Sequence, residues 1–206
     1  MDEAKTFVLE ETREHTSAKL GMWLFILSEL LLFGGMFILY SAYRYKNPVD
    51  FHHASRELEV LLGTFNTIIL LTSSLSMAAS VSALQRGQRK LSMVLLVATV
   101  ALGLLFLVNK GFEWGTKIEH GIYPNSPILL ARAKGEILFY GLYFVMTGLH
   151  GLHVLVGVFV LCGMFMLIAR DRINQVRFVP LENAGLYWHL VDMIWIFLYP
   201  LFYLIA

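Results

Sequence analysis

Cysteine is nearly absent from this chain. Cys162 is the only one among 206 residues, so no intrachain disulfide can hold the fold together. It lies inside an apolar run, where it is expected to serve as a small buried apolar residue. Proline is scarce, at 5 residues, and charged side chains make up only 15% of the sequence, against about a quarter in soluble domains. The net charge of +1 gives no basic surplus of the kind that binds nucleic acid. No proline-rich, Gly/Ser-rich or low-complexity tract marks a linker or a second domain. The first twenty residues are polar and acidic and lack the apolar core of a cleavable signal peptide. The first apolar run is therefore expected to act as its own insertion signal.

What fills the sequence is hydrophobic residues, 57% of the total. They gather in five continuous runs, near 20–43, 60–84, 91–108, 135–169 and 183–205. Crossing a hydrocarbon core of about 30 Å takes about 20 helical residues, so each run is long enough to span a membrane. The fourth exceeds one perpendicular crossing and is expected to tilt or project. Continuous runs exclude a β-barrel, whose strands alternate in polarity over about ten residues. The fold class is thus all-α, a polytopic membrane helix bundle with five transmembrane helices. Residues 1–19 form an N-terminal tail and 20–206 the membrane domain.

Lysine and arginine distribution sets the orientation. Nine (Lys5, Arg13, Lys19, Arg86, Arg89, Lys90, Arg170, Arg172, Arg177) fall on the side of the N-terminus and seven (Arg44, Lys46, Arg56, Lys110, Lys117, Arg132, Lys134) on the other. This pattern predicts an N-terminal tail in the cytoplasm, or its mitochondrial equivalent, and an external C-terminus. The connection near 109–134, with Tyr123-Pro124-Asn125-Ser126-Pro127, then faces outward as a turn-rich loop.

Polar residues inside the spans carry the functional information. Glu29 lies about nine residues into the first apolar run. An ionisable group there costs about 2.5–3.5 kcal/mol on insertion scales, so it marks a functional arrangement inside the bilayer. Asn66, Ser73, Ser76 and Ser80 share one face of the second span, and small hydroxyl residues favour close helix packing. In the fourth span Glu136, Tyr143 and His150 recur every seven residues, with Thr147 and His153 beside them. In the fifth, Glu182, His189, Asp192, Tyr199 and Tyr203 share a stripe. Such faces must meet protein or water. A hydrogen-bonded polar network, a proton or solute pathway, and a metal or haem site all fit the bare pattern. A di-metal centre would favour Glu-x-x-His units, which the chain lacks. Tyr187, Trp188 and Trp195, with Trp23 and Trp114, fit an aromatic belt at the lipid interface. Arg170 and Arg172, at the end of the fourth span, are candidate contacts for lipid head groups.

The segments Thr147-Gly148-Leu149-His150-Gly151-Leu152-His153-Val154 and Tyr187-Trp188-His189-Leu190-Val191-Asp192-Met193-Ile194-Trp195-Ile196-Phe197-Leu198-Tyr199 resemble the last two helices of subunit III of the haem–copper respiratory oxidases. Leu27-Ser28-Glu29, Asn66-Thr67 with Thr72-Ser73-Ser74, and Phe112-Glu113-Trp114 resemble further family segments, in the family's order. The chain is similar to the five-span form, which lacks two helices found in many members. It has Lys110 where the family often has glutamine. The resemblance implies a bacterial inner-membrane subunit without catalytic or metal-binding residues of its own. Haem and copper would sit in partner subunits, subunit I would be the main contact, and subunits II and IV would be further neighbours. A respiratory supercomplex is compatible with this. The subunit would hold phospholipids in a cleft and support proton uptake. Glu29 matches the family's intramembrane carboxylate, and Asn66, Glu136, His150, His153, Glu182, His189 and Asp192 become a structural polar network. Alternatives are the equivalent subunit of a quinol oxidase or nitric-oxide-reductase-associated complex, a stand-alone transporter or proton channel, and a metal-dependent membrane enzyme.

Overall fold

A computed structural model describes the backbone of residues 2–204 and the side chains of residues 17 and 19–204. The described residues form seven helices and no strand. They are α1 (Asp2–Lys46), α2 (Pro48–Ser55), α3 (Val60–Gln85), α4 (Arg89–Glu119), α5 (Pro127–Leu130), α6 (Lys134–Ala169) and α7 (Val179–Tyr203). Five contain stretches long and apolar enough to cross a membrane, with the stretch in α1 covering Lys19–Lys46. The 36 residues of α6 extend about 54 Å at 1.5 Å per residue, so this helix projects beyond a single crossing.

Two connections differ from the sequence reading. The charges from Lys110 onward do not end the third span: α4 continues through Lys110, Glu113 and Lys117 to Glu119. The connection to α6 is therefore shorter than 109–134. It contains α5, capped where Ser126 accepts from the Ile128 amide. The first connection contains α2, opened by Pro48, because proline's fixed φ suits the first helical turn.

Helices α3, α4, α6 and α7 pack together, and α1 lies against α6 and α7 at the edge. The turn from α3 to α4 is tight: Gly87 takes φ 76°, and Gln88 N–H donates to Ala83 O at 2.9 Å. Only glycine adopts that φ cheaply, which is why it ends so many helices. Lipid is as apolar as leucine, so membrane helices associate through shape fit and hydrogen bonds rather than apolar burial. Both converge on Trp188 of α7, which is fully buried. A Cβ at Gly103 of α4 would lie 2.6 Å from its ring, and one at Gly157 of α6 2.8 Å. Its Nε1–H donates to Ser73 Oγ of α3 at 2.7 Å. One side chain thus ties all four bundle helices.

Trp188 and Trp195 do not form an interfacial belt. Both have 0% exposure, because each indole N–H finds a hydroxyl on α3 in place of interfacial water. Trp23 does point outward, at 59% exposure, while Trp114 packs against the core. Cys162 also departs from expectation. It is exposed on the outer side of α6, beside the buried Leu161, since adjacent helical positions point about 100° apart.

Candidate functional site

Four arrangements hold the polar residues within and around the spans. The first is a ladder between α3 and α7. Thr64 Oγ1 and Tyr199 OH lie 2.6 Å apart, Trp195 Nε1–H donates to Thr67 Oγ1 at 3.0 Å, and Ser74 Oγ lies 2.7 Å from His189 Nδ1. Thr64, Thr67 and Ser74, three and seven residues apart along α3, present one stripe to α7. Further hydroxyls join α3 to α4: Ser76 donates to Leu95 O at 2.8 Å and Ser80 to Ser92 O at 2.9 Å. Asn66 accepts from Asn109 Nδ2 at 3.0 Å.

The second arrangement closes the bundle where α4, α6 and α7 meet. Lys110 and Glu113 are both nearly buried, at 5% and 6% exposure. Lys110 Nζ donates to Glu113 Oε2 at 2.9 Å, Tyr143 OH at 3.1 Å and Tyr203 OH at 2.6 Å. Both phenols pass their own hydrogens to Glu113 Oε1 at 2.6 Å. All three ammonium hydrogens are used, and the carboxylate accepts three bonds. The rings of Tyr143, Trp195 and Tyr203 lie 4.9–5.2 Å from Nζ, adding cation–π attraction. Neither charged residue stood out as a site in the sequence. Lys110 reads as a loop charge if the third span ends at Val108. The signal that marks them is their spacing of three on one helix, which places both on the same face.

Glu29 belongs to the third arrangement, on the α1–α6 seam. His153 Nε2 lies 3.1 Å from Glu29 Oε2. Its Nδ1 lies 2.8 Å from Leu149 O, and a carbonyl only accepts, so Nδ1 carries a hydrogen. A neutral His153 therefore turns its Nε2 lone pair toward the carboxyl, and only a protonated Glu29 can bond to it. A protonated His153 pairs with the carboxylate instead. The contact is angled away from hydrogen-bond geometry, and Glu29 Oε2 has no hydrogen-bond partner among the described residues. Phe33 covers the His153 ring edge-on at 5.6 Å between centroids.

The fourth lies at the bundle end, on loop-side residues. Arg132 pairs with Glu57 at 2.8 Å and Glu136 at 3.1 Å. Tyr140 OH donates to Glu57 Oε2 at 2.7 Å, and His53 Nδ1 lies 3.1 Å from Glu136 Oε1. Burial pushes the Glu57 carboxyl up, but the hydrogen bonds from Tyr140 and Arg132, with the charge of Arg132, outweigh it and hold Glu57 below its ordinary value. The hydrogen bond to Glu57 leads the causes that raise Arg132.

The structure therefore separates residues that the sequence groups as one polar network. Glu136 joins the bundle-end group, and Glu182 pairs with Lys19 at 3.0 Å. His189 and Asn66 bond to α3 and α4 partners as above. His150 hydrogen-bonds to nothing among the described residues. Its ring, at 0% exposure, stacks on Trp195 at 5.2 Å and meets Phe106 edge-on at 5.5 Å. Asp192 is 3% exposed, and neither of its carboxyl oxygens has a partner among the described residues. Arg170 and Arg172 are exposed. No three His, Cys, Asp or Glu side chains converge to a metal-ligating group among the described residues.

Residues 4–206 match the family model described as cytochrome c oxidase subunit III. The chain belongs to the cytochrome c oxidase subunit III family. It is 31% identical to the cytochrome c oxidase subunit 3 of Thermostichus vulcanus over 204 residues, covering 96% of this chain and 92% of that protein. The probable quinol oxidase subunit 3 of Staphylococcus haemolyticus is 27% identical over 195 residues, 95% of this chain and 92% of that one. The cytochrome c oxidase subunit 3 of Allomyces macrogynus is 33% identical over 197 residues, 87% of this chain and 63% of that one.

The two longest segments that resemble the subunit III family have separate tasks in the fold. Thr147–Val154 supplies His153 to the α1 seam and His150 to the aromatic stack. Tyr187–Tyr199 supplies the rungs that bond to α3. As a subunit III family member with five apolar spans, the chain is a membrane protein of a haem–copper oxidase family complex.

Proposed function

We propose that this chain is the accessory subunit III of a haem–copper terminal oxidase that reduces O2 to water and conserves the energy as a proton gradient. The observation that carries the reading is the match to the family across residues 4–206. In this reading haem and copper reside in partner subunits, and subunit I is the main contact, with subunits II and IV as further neighbours. The N-terminal end and the α3–α4 turn face the cytoplasm of a bacterium, where nine of the sixteen basic residues lie. The chain stabilises subunit I, holds phospholipids, and supports proton uptake through the Glu29 carboxyl that faces His153. The polar residues of the bundle serve structure: three arrangements are tied by hydrogen bonds or ion pairs, which suits a rigid support.

Purification of the native complex in mild detergent through a tag on this chain, followed by a reduced-minus-oxidised spectrum, tests this. Haem bands accompanied by a large, histidine-rich membrane subunit are expected. A monodisperse chain without haem or partners would overturn the reading in favour of a stand-alone transporter. A quinol-oxidising assembly is the second reading, supported by the similarity to a probable quinol oxidase subunit 3. Turnover of the purified particle with reduced cytochrome c against quinol separates the two.

A further inference from the structure

We propose a binding site for one anionic phospholipid on the outer face between α4 and α6. Two adjoining hollows of about 470 and 480 Å³ run along this face. Val97 and Phe165 line both of them, so they form one groove. Its deep half is lined by Leu96, Val100, Cys162 and Met166 and its shallow half ends at Lys90. The occupant is thus long and apolar, with an anion at one end.

The dimensions fit an acyl chain and its head group. From Lys90 to Val100 is ten helical residues, about 15 Å at 1.5 Å per residue, which is the depth of one leaflet of a core about 30 Å thick. Lys90 therefore stands at the head-group level when the groove holds the tail. Other cations gather there. Arg89 donates to Ala169 O at 2.7 Å and pairs with Asp171 at 3.3 Å, which draws the start of α4 against the end of α6. Arg170 follows directly and is exposed, as is Arg172. With the proposed orientation this is the cytoplasmic leaflet, where anionic lipids attract juxtamembrane cations. The site deepens the lipid-holding role proposed above and rests on it. A partner helix would fill the apolar groove without using Lys90, and charge complementarity favours the phospholipid.

Cys162 provides a readout inside the groove. The complex is purified and reconstituted in nanodiscs of phosphatidylglycerol or of phosphatidylcholine, and Cys162 is alkylated with a small membrane-permeant maleimide. Alkylation is expected to be about fivefold slower in phosphatidylglycerol, the equivalent of about 1 kcal/mol for one cation near the surface. Lys90→Ala should abolish that difference and Lys90→Arg should keep it. Val97→Trp, at an exposed position, fills the groove and should remove the bound lipid counted by mass spectrometry of the complex. Equal rates in the two lipids, or a difference that survives Lys90→Ala, would overturn the site. The haem content of the same particles scores the accessory-subunit reading separately, so failure of either is recognisable.

Discussion

Glu113 and Glu29 are both carboxyls inside membrane helices, and their surroundings are opposite. Glu113 accepts from Lys110, Tyr143 and Tyr203 at a junction of three helices. Glu29 faces His153 across the seam of the peripheral α1, and its Oε2 lacks a properly angled bond among the described residues. A carboxylate saturated with donors is locked in one protonation state, and its removal damages the fold. A carboxyl with one loosely angled partner can be exchanged for an uncharged group while little else moves. The same division runs through the helices. The seams around α7 hold Trp188 between glycines, whereas α1 carries most of its apolar surface outward.

The saturated end should be the costliest place to interfere. Lys110→Met leaves Glu113 buried without its cation, and breaking a buried pair from one side costs about 3–5 kcal/mol. Thermal unfolding in detergent should show that loss, and Lys110→Met/Glu113→Leu should recover most of it. A single substitution that costs under about 1 kcal/mol would mean water already reaches the cluster. Next in size is Gly157→Val, which drives a branched side chain into Trp188. Overpacking of this kind costs about 1–3 kcal/mol. The matching change on the loose seam, Gly34→Ala, meets nothing within 4 Å and should leave the unfolding temperature unchanged.

Much of this contrast was legible in the chain, and the missing part has a physical cause. Run lengths were enough to place five spans, and Asn66, Ser73, Ser76 and Ser80 were recognisable as a packing face. Asn66, Ser73 and Ser80 are buried, while Ser76 is half-buried and donates to Leu95 O of α4. Glu29 stood out because a charge in an apolar run is conspicuous. Lys110 and Glu113 did not, since charges near the end of a run look the same whether they enter water or fold back into the bundle. The depth of Trp188 and Trp195 was hidden for a related reason. An indole serves equally at an interface or in a core, and the choice depends on whether a hydroxyl such as Ser73 or Thr67 lies opposite. The resemblance places His150 in a polar network, but its neighbours are the rings of Trp195 and Phe106, which sequence spacing cannot place together.

A third carboxyl, Glu57, gives the comparison an intermediate case, partly exposed and paired with Arg132. Its folded-state pKa lies below the ordinary value. Its contribution is therefore fully present above the unfolded carboxylate pKa of about 4.3 and is lost as pH falls through the lower folded value. Lowering the pH from 6 to 3 should reduce the unfolding temperature more in the native chain than in Glu57→Gln. Exposure keeps the difference below about 1 kcal/mol. An identical pH dependence in both would place Arg132 in solvent, with the ion pair contributing nothing.

A small effect on stability, and the sharpest test of the contrast, belongs to Glu29→Gln. The amide is nearly isosteric with the carboxyl and can donate to the Nε2 lone pair of a neutral His153, so the α1–α6 contact persists without an exchangeable acid. Stability should change by no more than about 0.5 kcal/mol, and haem content of the complex should be unaffected. What the substitution removes is the ionisable carboxyl that faces His153 across the seam. Sustained turnover and proton uptake by the assembled oxidase should fall, and His153→Gln should produce the same loss from the other side of the seam. If Glu29→Gln instead unfolds the chain or strips haem from the complex, Glu29 is a structural carboxyl like Glu113. If it is silent in turnover as well, the Glu29 carboxyl takes no part in the oxidase's work.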